Sequence, residues 1–161
     1  MAWTDVCRRG RWVGGKVRQD DVHKSDPPSD HDAGEESPGI RNFITDVVRN
    51  DPPWRYPEKP SDFPTGCLVQ TYPGKSASDV HFEGRAADVF LDYTNPTERA
   101  WGDWLFDWCV ENCKLYSIQG VIFGKRQWFS EMNHGEEFPR TQGDHNNHVH
   151  VELNCDGAQG I

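Results

Sequence analysis

The sequence predicts a single α+β domain, and three observations lead to this fold class. The chain has 161 residues, which suffices for one core and is too short for two domains of ordinary size. Its apolar patterns follow the order strand, strand, helix, strand, long loop, strand. Seven Trp and eight Phe supply bulky core material, although only 35% of the residues are hydrophobic.

The N-terminal part, residues 1–39, is predicted to be a partly flexible extension of a domain at residues 40–161. From Gln19 to Gly39 the chain is dense in Asp, Pro, Ser and Glu and has almost no large apolar residue. Such a composition favours a flexible linker or a long loop. His23 and His31 lie in this stretch, and isolated histidines in solvated loops are poor candidates for metal ligands.

A short amphipathic helix is predicted next, followed by an irregular segment. The helix is indicated by apolar residues at helical spacing: Ile40, Phe43, Ile44, Val47 and Val48. Pro52 and Pro53 forbid its continuation. Up to Pro64 the chain is too rich in proline for regular structure, and we expect three aromatic side chains to hold it against the body: Trp54, Tyr56 and Phe63.

Two strands and a long helix are predicted in the middle of the chain. Cys67–Tyr72 is typical of a strand, and Ala86–Leu91 of a second strand that leaves a turn at Gly84. Asn95 can cap a helix whose first residue is Pro96. Its broad apolar stripe is interpreted as core rather than as a cofactor site: Trp101, Trp104, Leu105 and Trp108. Two further strands are predicted at Val121–Phe123 and Val149–Leu153.

Cysteine usage, charge and hydropathy exclude several classes of function. Five cysteines form no CxxC pair, which argues against a cysteine zinc knot. Cys109 and Cys113 share a helix face and are interpreted as two small buried residues, because a disulfide across one turn is strained. The net charge of -9 without a Lys/Arg stripe argues against nucleic-acid binding. No apolar run is long enough for a membrane span, and the N-terminus lacks the hydrophobic core of a signal peptide.

Residues suited to bind a metal gather at two places. His81 precedes the turn at Gly84, Asp88 lies in the second strand, and His148 and His150 lie on the last strand. Alternate residues of a strand share a face, so both of these histidines can point into a cleft bordered by His81 and Asp88. Three protein ligands with an open fourth position are the pattern of a catalytic zinc. One of the four residues is then available for chemistry.

The run from Asp144 to His150 strengthens this interpretation. It contains His145, His148 and His150, which are too many polar side chains beside an apolar strand for packing alone. An alternative is a polar core without metal, in which the same residues only hydrogen-bond to one another.

The order His-x6-Asp and then His-x-His resembles the signature of the LAS group of zinc peptidases, named for lysostaphin, D-alanyl-D-alanine peptidases and sonic hedgehog. Three stretches are similar to an actinobacterial and phage branch related to D-Ala-D-Ala carboxypeptidases: His81–Val89, Val121–Trp128 and His148–Val151. The three-histidine ending is also similar to that of penicillin-insensitive murein endopeptidases. The resemblance covers about residues 65 to 154.

This resemblance implies a fold, a cofactor and an activity. The fold would be a small antiparallel sheet with flanking helices and a zinc site in a cleft on the sheet. His81, Asp88 and His150 would bind Zn2+, with His148 beside the water that the zinc activates. The activity would be hydrolysis of amide bonds in peptidoglycan stem peptides or crosslinks, by an endopeptidase or a D,D-carboxypeptidase. Such an enzyme acts at the bacterial cell wall as a secreted, periplasmic or phage-delivered protein, for example an endolysin.

The chain departs from the family at the expected catalytic carboxylate. Carboxypeptidase relatives carry Glu or Asp three residues before the last ligand, and this chain has Asn147, whose amide cannot accept a proton at useful pH. We expect His148 to take over the proton transfer, assisted by His145 or Asp144. The same departure supports an alternative, namely a zinc-bearing binding or structural domain without hydrolytic activity.

A second departure affects substrate binding. Relatives often carry Ser two residues before the first ligand and an Arg near the preceding strand, where this chain has Asp79 and Lys75. Lys75, Ser78 and Arg85 are the candidate substrate-binding residues, because they can contact the substrate carboxylate. Endopeptidase cleavage within a crosslink and carboxypeptidase trimming are both compatible with this set.

Overall fold

The computed structural model describes residues 25–26, 32–52, 56–72, 80–81 and 83–160. Several residues of the sequence predictions lie outside these ranges, namely Lys75, Ser78, His23, His31 and Trp54.

Six strands form one antiparallel sheet in the order β1-β2-β6-β3-β4-β5. The strands are β1 (Val69–Gln70), β2 (Ala86–Val89), β3 (Ile118–Phe123), β4 (Arg126–Phe129), β5 (Phe138–Pro139) and β6 (Val149–Leu153). The α-helices of the described chain are α1 (Pro38–Phe43), α2 (Pro96–Glu111), α3 (Cys113–Tyr116) and α4 (Cys155–Ala158). A π-helical turn at Ile44–Arg49 continues α1, and a 3-10 turn spans Asn133–Gly135. The predicted α+β class with an antiparallel sheet is confirmed. Within the described ranges, no helix is long and apolar enough to cross a membrane.

The first helix is confirmed, and it begins before the predicted domain boundary. It starts at Pro38, where the side chain of Ser37 accepts a hydrogen bond from the Ile40 N–H at 3.3 Å. Four residues of its predicted apolar face are buried and Ile44 is partly buried; the buried ones are Ile40, Phe43, Val47 and Val48. Its π-helical continuation ends at Arg49, shortly before the proline at position 52.

Where it is described, the segment from Gln19 to Gly39 is an irregular loop up to Ser37, as one of the two predicted alternatives has it, and not a flexible linker. Asp26 and Ser37 are buried, so these residues do not belong to a flexible linker. The Ser37 N–H donates to the Gly84 carbonyl at 2.7 Å, and the Cys155 N–H donates to the Asp26 carboxylate at 2.8 Å. Hydrogen bonds to distant parts of the chain hold this segment, and its composition does not reveal them.

The long helix α2 has the predicted cap and core face. The side chain of Asn95 accepts hydrogen bonds from the N–H groups of Thr97 and Glu98. The helix packs against β3 and β6 with three residues of the predicted stripe buried, Trp104, Leu105 and Trp108, while Trp101 is partly buried. Both Cys109 and Cys113 are buried, as predicted.

The segment between α1 and β1 is irregular where it is described, as predicted. Phe63 is buried and its ring centroid lies 5.1 Å from that of Trp104. Tyr56, in contrast, is 74% exposed, so the prediction that it holds this loop against the body is wrong.

Two strands lie where the sequence predicted only a long loop. β4 pairs with β3 through a two-residue hairpin loop at Gly124 and Lys125, and β5 pairs with β4. The prediction failed because β4 begins with two polar residues and β5 is very short, so neither has a long apolar pattern. β6 has the predicted bounds, whereas β1 and β2 are shorter than expected.

The two faces of the sheet have different roles. On β6, Val149, Val151 and Leu153 point into the core, and His150 lies on the opposite face. On β2, Asp88 likewise alternates with the core residues on either side. The pairing of β2 with β6 sets Asp88 directly opposite His150.

A buried ion pair anchors the turn before β2. Arg85 Nε donates to Glu83 Oε2 at 2.6 Å, and both side chains are fully buried. The guanidinium also donates to the carbonyls of Leu153 at 2.7 Å and Asp26 at 2.6 Å. Burial alone would lower the pKa of Arg85, but the charge of Glu83 raises it, so the guanidinium stays protonated.

We predict that Glu83→Gln lowers the free energy of unfolding by about 3 kcal/mol, because it leaves a buried guanidinium without its counter-charge. Urea unfolding followed by circular dichroism measures this change. The control is Glu111→Gln at an exposed position, for which we expect a change within about 0.5 kcal/mol. Equal midpoints for the two variants would contradict the stabilising role of the ion pair.

Candidate metal centre

The backbone brings three potential ligands to one place. Asp88 and His150 face each other across β2 and β6, and His81 lies in the turn that precedes β2. The Gly84 N–H closes this turn by donating to the His81 carbonyl at 2.9 Å. Gly84 has φ of 73°, and a Cβ there would collide with the Glu35 carbonyl oxygen, so the turn requires glycine.

Three ligand atoms of these side chains form a nearly equilateral triangle, which we call the His-Asp-His cluster (His81, Asp88 and His150). His81 Nε2 lies 3.0 Å from Asp88 Oδ1 and 3.2 Å from His150 Nδ1. His150 Nδ1 lies 3.1 Å from Asp88 Oδ1. Both histidines are buried, and Asp88 is partly exposed.

Hydrogen bonds on the far sides of the two imidazoles determine which nitrogens face the triangle. His81 Nδ1 lies 2.9 Å from the Thr71 carbonyl, which can only accept, so Nδ1 carries the hydrogen and Nε2 carries the lone pair. His150 Nε2 donates in the same way to Glu152 Oε2 at 2.9 Å, so Nδ1 is the nitrogen that faces the triangle. Two imidazole nitrogens and a carboxylate oxygen therefore converge, and a cation between them, either a proton or a metal ion, stabilises such a set.

The size of the triangle fits a tetrahedral metal ion. Ligand bonds of about 2.0 to 2.1 Å around zinc imply edges of about 3.3 Å between ligand atoms. The observed edges of 3.0, 3.2 and 3.1 Å agree with this value to within a few tenths of an ångström. Two imidazoles and one carboxylate also leave the fourth position open. The cluster can therefore hold a metal ion.

The electrostatics of the cluster favour a positive charge at its centre. Burial acts to raise the pKa of Asp88, but hydrogen bonds with His150 and His81 lower it, so the carboxylate is ionised. Burial acts to lower the pKa of His150, but hydrogen bonds with Asp88 and Glu152 raise it to about 10. The site thus stabilises a cation, which is a proton on His150 or a metal ion in its place.

His148 lies next to the cluster and presents a nitrogen to it. Its Nδ1 donates to Asn147 Oδ1 at 2.7 Å, which directs the lone pair of Nε2 to the other side of the ring. That Nε2 lies 3.5 Å from Asp88 Oδ1. Burial lowers the pKa of His148 below its ordinary value. His148 therefore lies beside the His-Asp-His cluster.

His145 and Asp144 form a second layer around the site. The ring centroid of His145 lies 4.8 Å from that of His148, and its Nδ1 lies 3.0 Å from Asp144 Oδ1. Asp144 also accepts from Arg140, and these bonds lower its pKa to about 2. Burial lowers the pKa of His145. Of the three predicted catalytic residues, His148 lies nearest the cluster and Asp144 contacts it only through His145.

The candidate substrate-binding residues are not brought to the cluster by the described structure. Arg85 is fully buried, and protein groups accept hydrogen bonds from its guanidinium. A substrate carboxylate cannot reach it in this arrangement, so Arg85 supports the fold instead. The other two candidates, Lys75 and Ser78, lie outside the described residues.

The sequence reasoning missed Glu152 and the backbone of Thr71, which bind the outer nitrogens of the two histidines. A signal for Glu152 was present, because a residue two positions after His150 shares its face of the strand. No sequence signal could identify the Thr71 carbonyl, because every residue type has a backbone carbonyl.

The chain matches a known protein family. The model of the VldE C-terminal domain matches residues 58–150, a span that contains the His-Asp-His cluster together with His145 and His148. No curated protein and no solved structure gives a significant match. Because the matched residues make up more than half of the 161, the chain belongs to the family of the VldE C-terminal domain.

Proposed function

We propose that the chain is a zinc-dependent peptidase that hydrolyses amide bonds in peptidoglycan stem peptides or crosslinks at the bacterial cell wall. The observation that carries this proposal is the triangle of two imidazole nitrogens and one carboxylate oxygen with edges of 3.0 to 3.2 Å. The resemblance of the same residues to the LAS zinc peptidases supplies the reaction and the substrate class. Two imidazoles, one carboxylate and an open position are the ligand set of a catalytic rather than a structural zinc.

The proposed zinc ligands are His81, Asp88 and His150. When bound, the zinc would polarise the scissile carbonyl and lower the pKa of the attacking water. The Thr71 carbonyl and Glu152 accept hydrogen bonds from the outer nitrogens of the two imidazoles and so orient them. The chain itself therefore fixes the ligand atoms before a metal binds.

His148 is the residue best placed to move the proton. Its Nε2 faces the cluster 3.5 Å from Asp88 Oδ1, and a neutral imidazole can take a proton from water and pass it to the leaving amine. Asn147 lies where relatives have a carboxylate, and its Oδ1 accepts from His148 Nδ1. Asn147 thus orients the base. His145 packs beside His148 and is oriented by Asp144.

The burial of Arg85 bears on the bond that is cleaved. A carboxypeptidase must hold a terminal carboxylate with a cationic or hydroxyl group, and Arg85 has no exposed surface for this purpose. Lys75 and Ser78 are the proposed carboxylate contacts that remain. The loss of one candidate favours endopeptidase cleavage inside a crosslink over trimming of a terminal residue.

One observation favours a second candidate function, a zinc-bearing binding domain without hydrolytic activity. Asn147 removes the carboxylate that accepts the proton in carboxypeptidase relatives. In that case the cluster would hold the metal, and muropeptides would bind without being cleaved.

We predict that the full chain, purified without a histidine tag, binds one zinc and that His81→Ala and His150→Ala each abolish binding. Each substitution removes one of the three proposed protein ligands. Elemental analysis after zinc addition and gel filtration measures the stoichiometry. His145→Ala is the matched control, since His145 lies near the cluster outside the triangle and its variant should keep the zinc. A wild-type chain that stays empty would contradict the zinc site.

We predict that His148→Ala lowers muropeptide hydrolysis by about 100-fold or more while the zinc stays bound, because it removes the proposed general base. His150→Ala should lose both the bound zinc and the hydrolysis. The assay is a digest of purified muropeptides read by mass spectrometry. Full turnover by His148→Ala would exclude this residue from the mechanism.

The same digest separates the two candidate functions. A wild-type chain that binds one zinc but leaves every muropeptide intact would favour the binding domain.

A further inference from the structure

Glu152 occupies the position directly behind one proposed ligand. It follows His150 by two residues on β6 and shares its face of the sheet. Its Oε2 accepts a hydrogen bond from His150 Nε2 at 2.9 Å, on the side of the ring opposite the triangle. The side chain is 12% exposed, and glutamates so far removed from water are rare unless they are paired.

The second carboxylate oxygen of Glu152 also accepts a hydrogen bond. Its Oε1 accepts a hydrogen bond from Gln119 Nε2 at 3.0 Å. A carboxylate can accept both bonds at once, whereas the amide of a glutamine offers one oxygen and one NH2 group. The residue type at position 152 is therefore matched to two donors that approach from different sides.

A β-bulge directs Gln119 onto Glu152. The register of β3 against β6 shifts between Ile118 and Gly120, so that Gln119 is the extra residue of β3. Bulges of this kind re-aim a side chain next to a functional site. Gly120 is the direct partner of Glu152, and a Cβ there would lie 3.0 Å from Glu152 Cγ. Such a Cβ would lie closer still to the ring of Phe129, at 2.6 Å, so the absence of a side chain at Gly120 makes room for both Phe129 and Glu152.

The N-terminal segment holds Gln119 in turn. The Asp26 N–H donates to Gln119 Oε1 at 2.7 Å, and Gln119 Nε2 donates to the Asp26 carbonyl at 3.1 Å. Arg85 Nη2 donates to the same carbonyl at 2.6 Å. Asp26 and Gln119 are both buried, so water does not compete strongly for these bonds.

We propose that Glu152 is a positioning residue of the metal centre, held by Gln119 and the backbone of Asp26. It fixes the ring of His150 with Nδ1 toward the ion and increases the basicity of that nitrogen. Two of these residues, Glu152 and Asp26, lie outside the part of the chain matched by the family model. This inference rests on the proposed zinc site.

The test is the affinity of the full chain for Zn2+, measured by competition with a chromophoric chelator. Glu152→Gln should weaken binding by about 10- to 100-fold, because one of two donors then faces an N–H group. Gln119→Met should weaken binding less, since it leaves the bond between Glu152 and His150 in place. Glu111→Gln, at an exposed position, is the matched control and should bind as the wild type does.

Two spectroscopic measurements separate positioning from a general effect on folding. In 15N NMR of the metal-free wild type near pH 7, the outer nitrogen of His150 should carry a hydrogen that is shared with Glu152. The signals of this ring should change in Glu152→Gln while those of His81 stay. The visible spectrum of the Co2+-loaded chain should change in Glu152→Gln and stay unchanged in Glu111→Gln.

The outcomes distinguish this inference from the proposed function. If the wild type binds Zn2+ through His81 and His150 while Glu152→Gln and Gln119→Met bind equally well, the positioning role is wrong and the zinc site stands. If the wild type does not bind Zn2+, the positioning role and the proposed zinc site are both wrong. If Glu152→Gln does not fold, Gln119→Met decides, and wild-type affinity in that variant would overturn the role of the Gln119 bond.

Discussion

The pairing of β2 with β6 is the constraint on which the site depends, because it places Asp88 directly opposite His150. A shift of this register by one residue would turn one of the two side chains into the core and destroy the triangle. The third residue of the cluster, His81, is added by the tight turn at Gly84, whose backbone conformation excludes other residues. Local backbone geometry and sheet register therefore establish the cluster before any metal contributes energy.

One face of the sheet forms the hydrophobic core, and the other carries the candidate site. One face packs its aliphatic residues on α2, and the other carries a buried polar network that runs from His150 through Glu152 to Gln119. Buried polar groups are costly unless each finds a partner, and here the partners come from distant parts of the chain. The N-terminal segment supplies one of them through Asp26, so it is part of the structure that supports the site.

The sequence predicted the α+β class, the helix α2 and the bounds of β6, because each depends on a local pattern. Spacing offered four candidate ligands, and the resemblance to the LAS peptidases implied which three of them form the cluster. The sequence did not predict the strands β4 and β5, whose residues lack a long apolar alternation. It also assigned Arg85 to substrate binding and treated the segment around Asp26 as a flexible linker or loop, because most of their hydrogen-bond partners lie far away in sequence. Glu83, two residues from Arg85, is the exception. The bulge at Gln119 could not be predicted from the sequence either, because it depends on how β3 pairs with β6.

The most direct test of the central claim is anomalous diffraction at the zinc edge from crystals of the zinc-loaded full chain. The account predicts one peak within about 2.0 to 2.2 Å of three atoms, namely His81 Nε2, Asp88 Oδ1 and His150 Nδ1. A peak bound by other residues, or no peak between these three side chains, would contradict it.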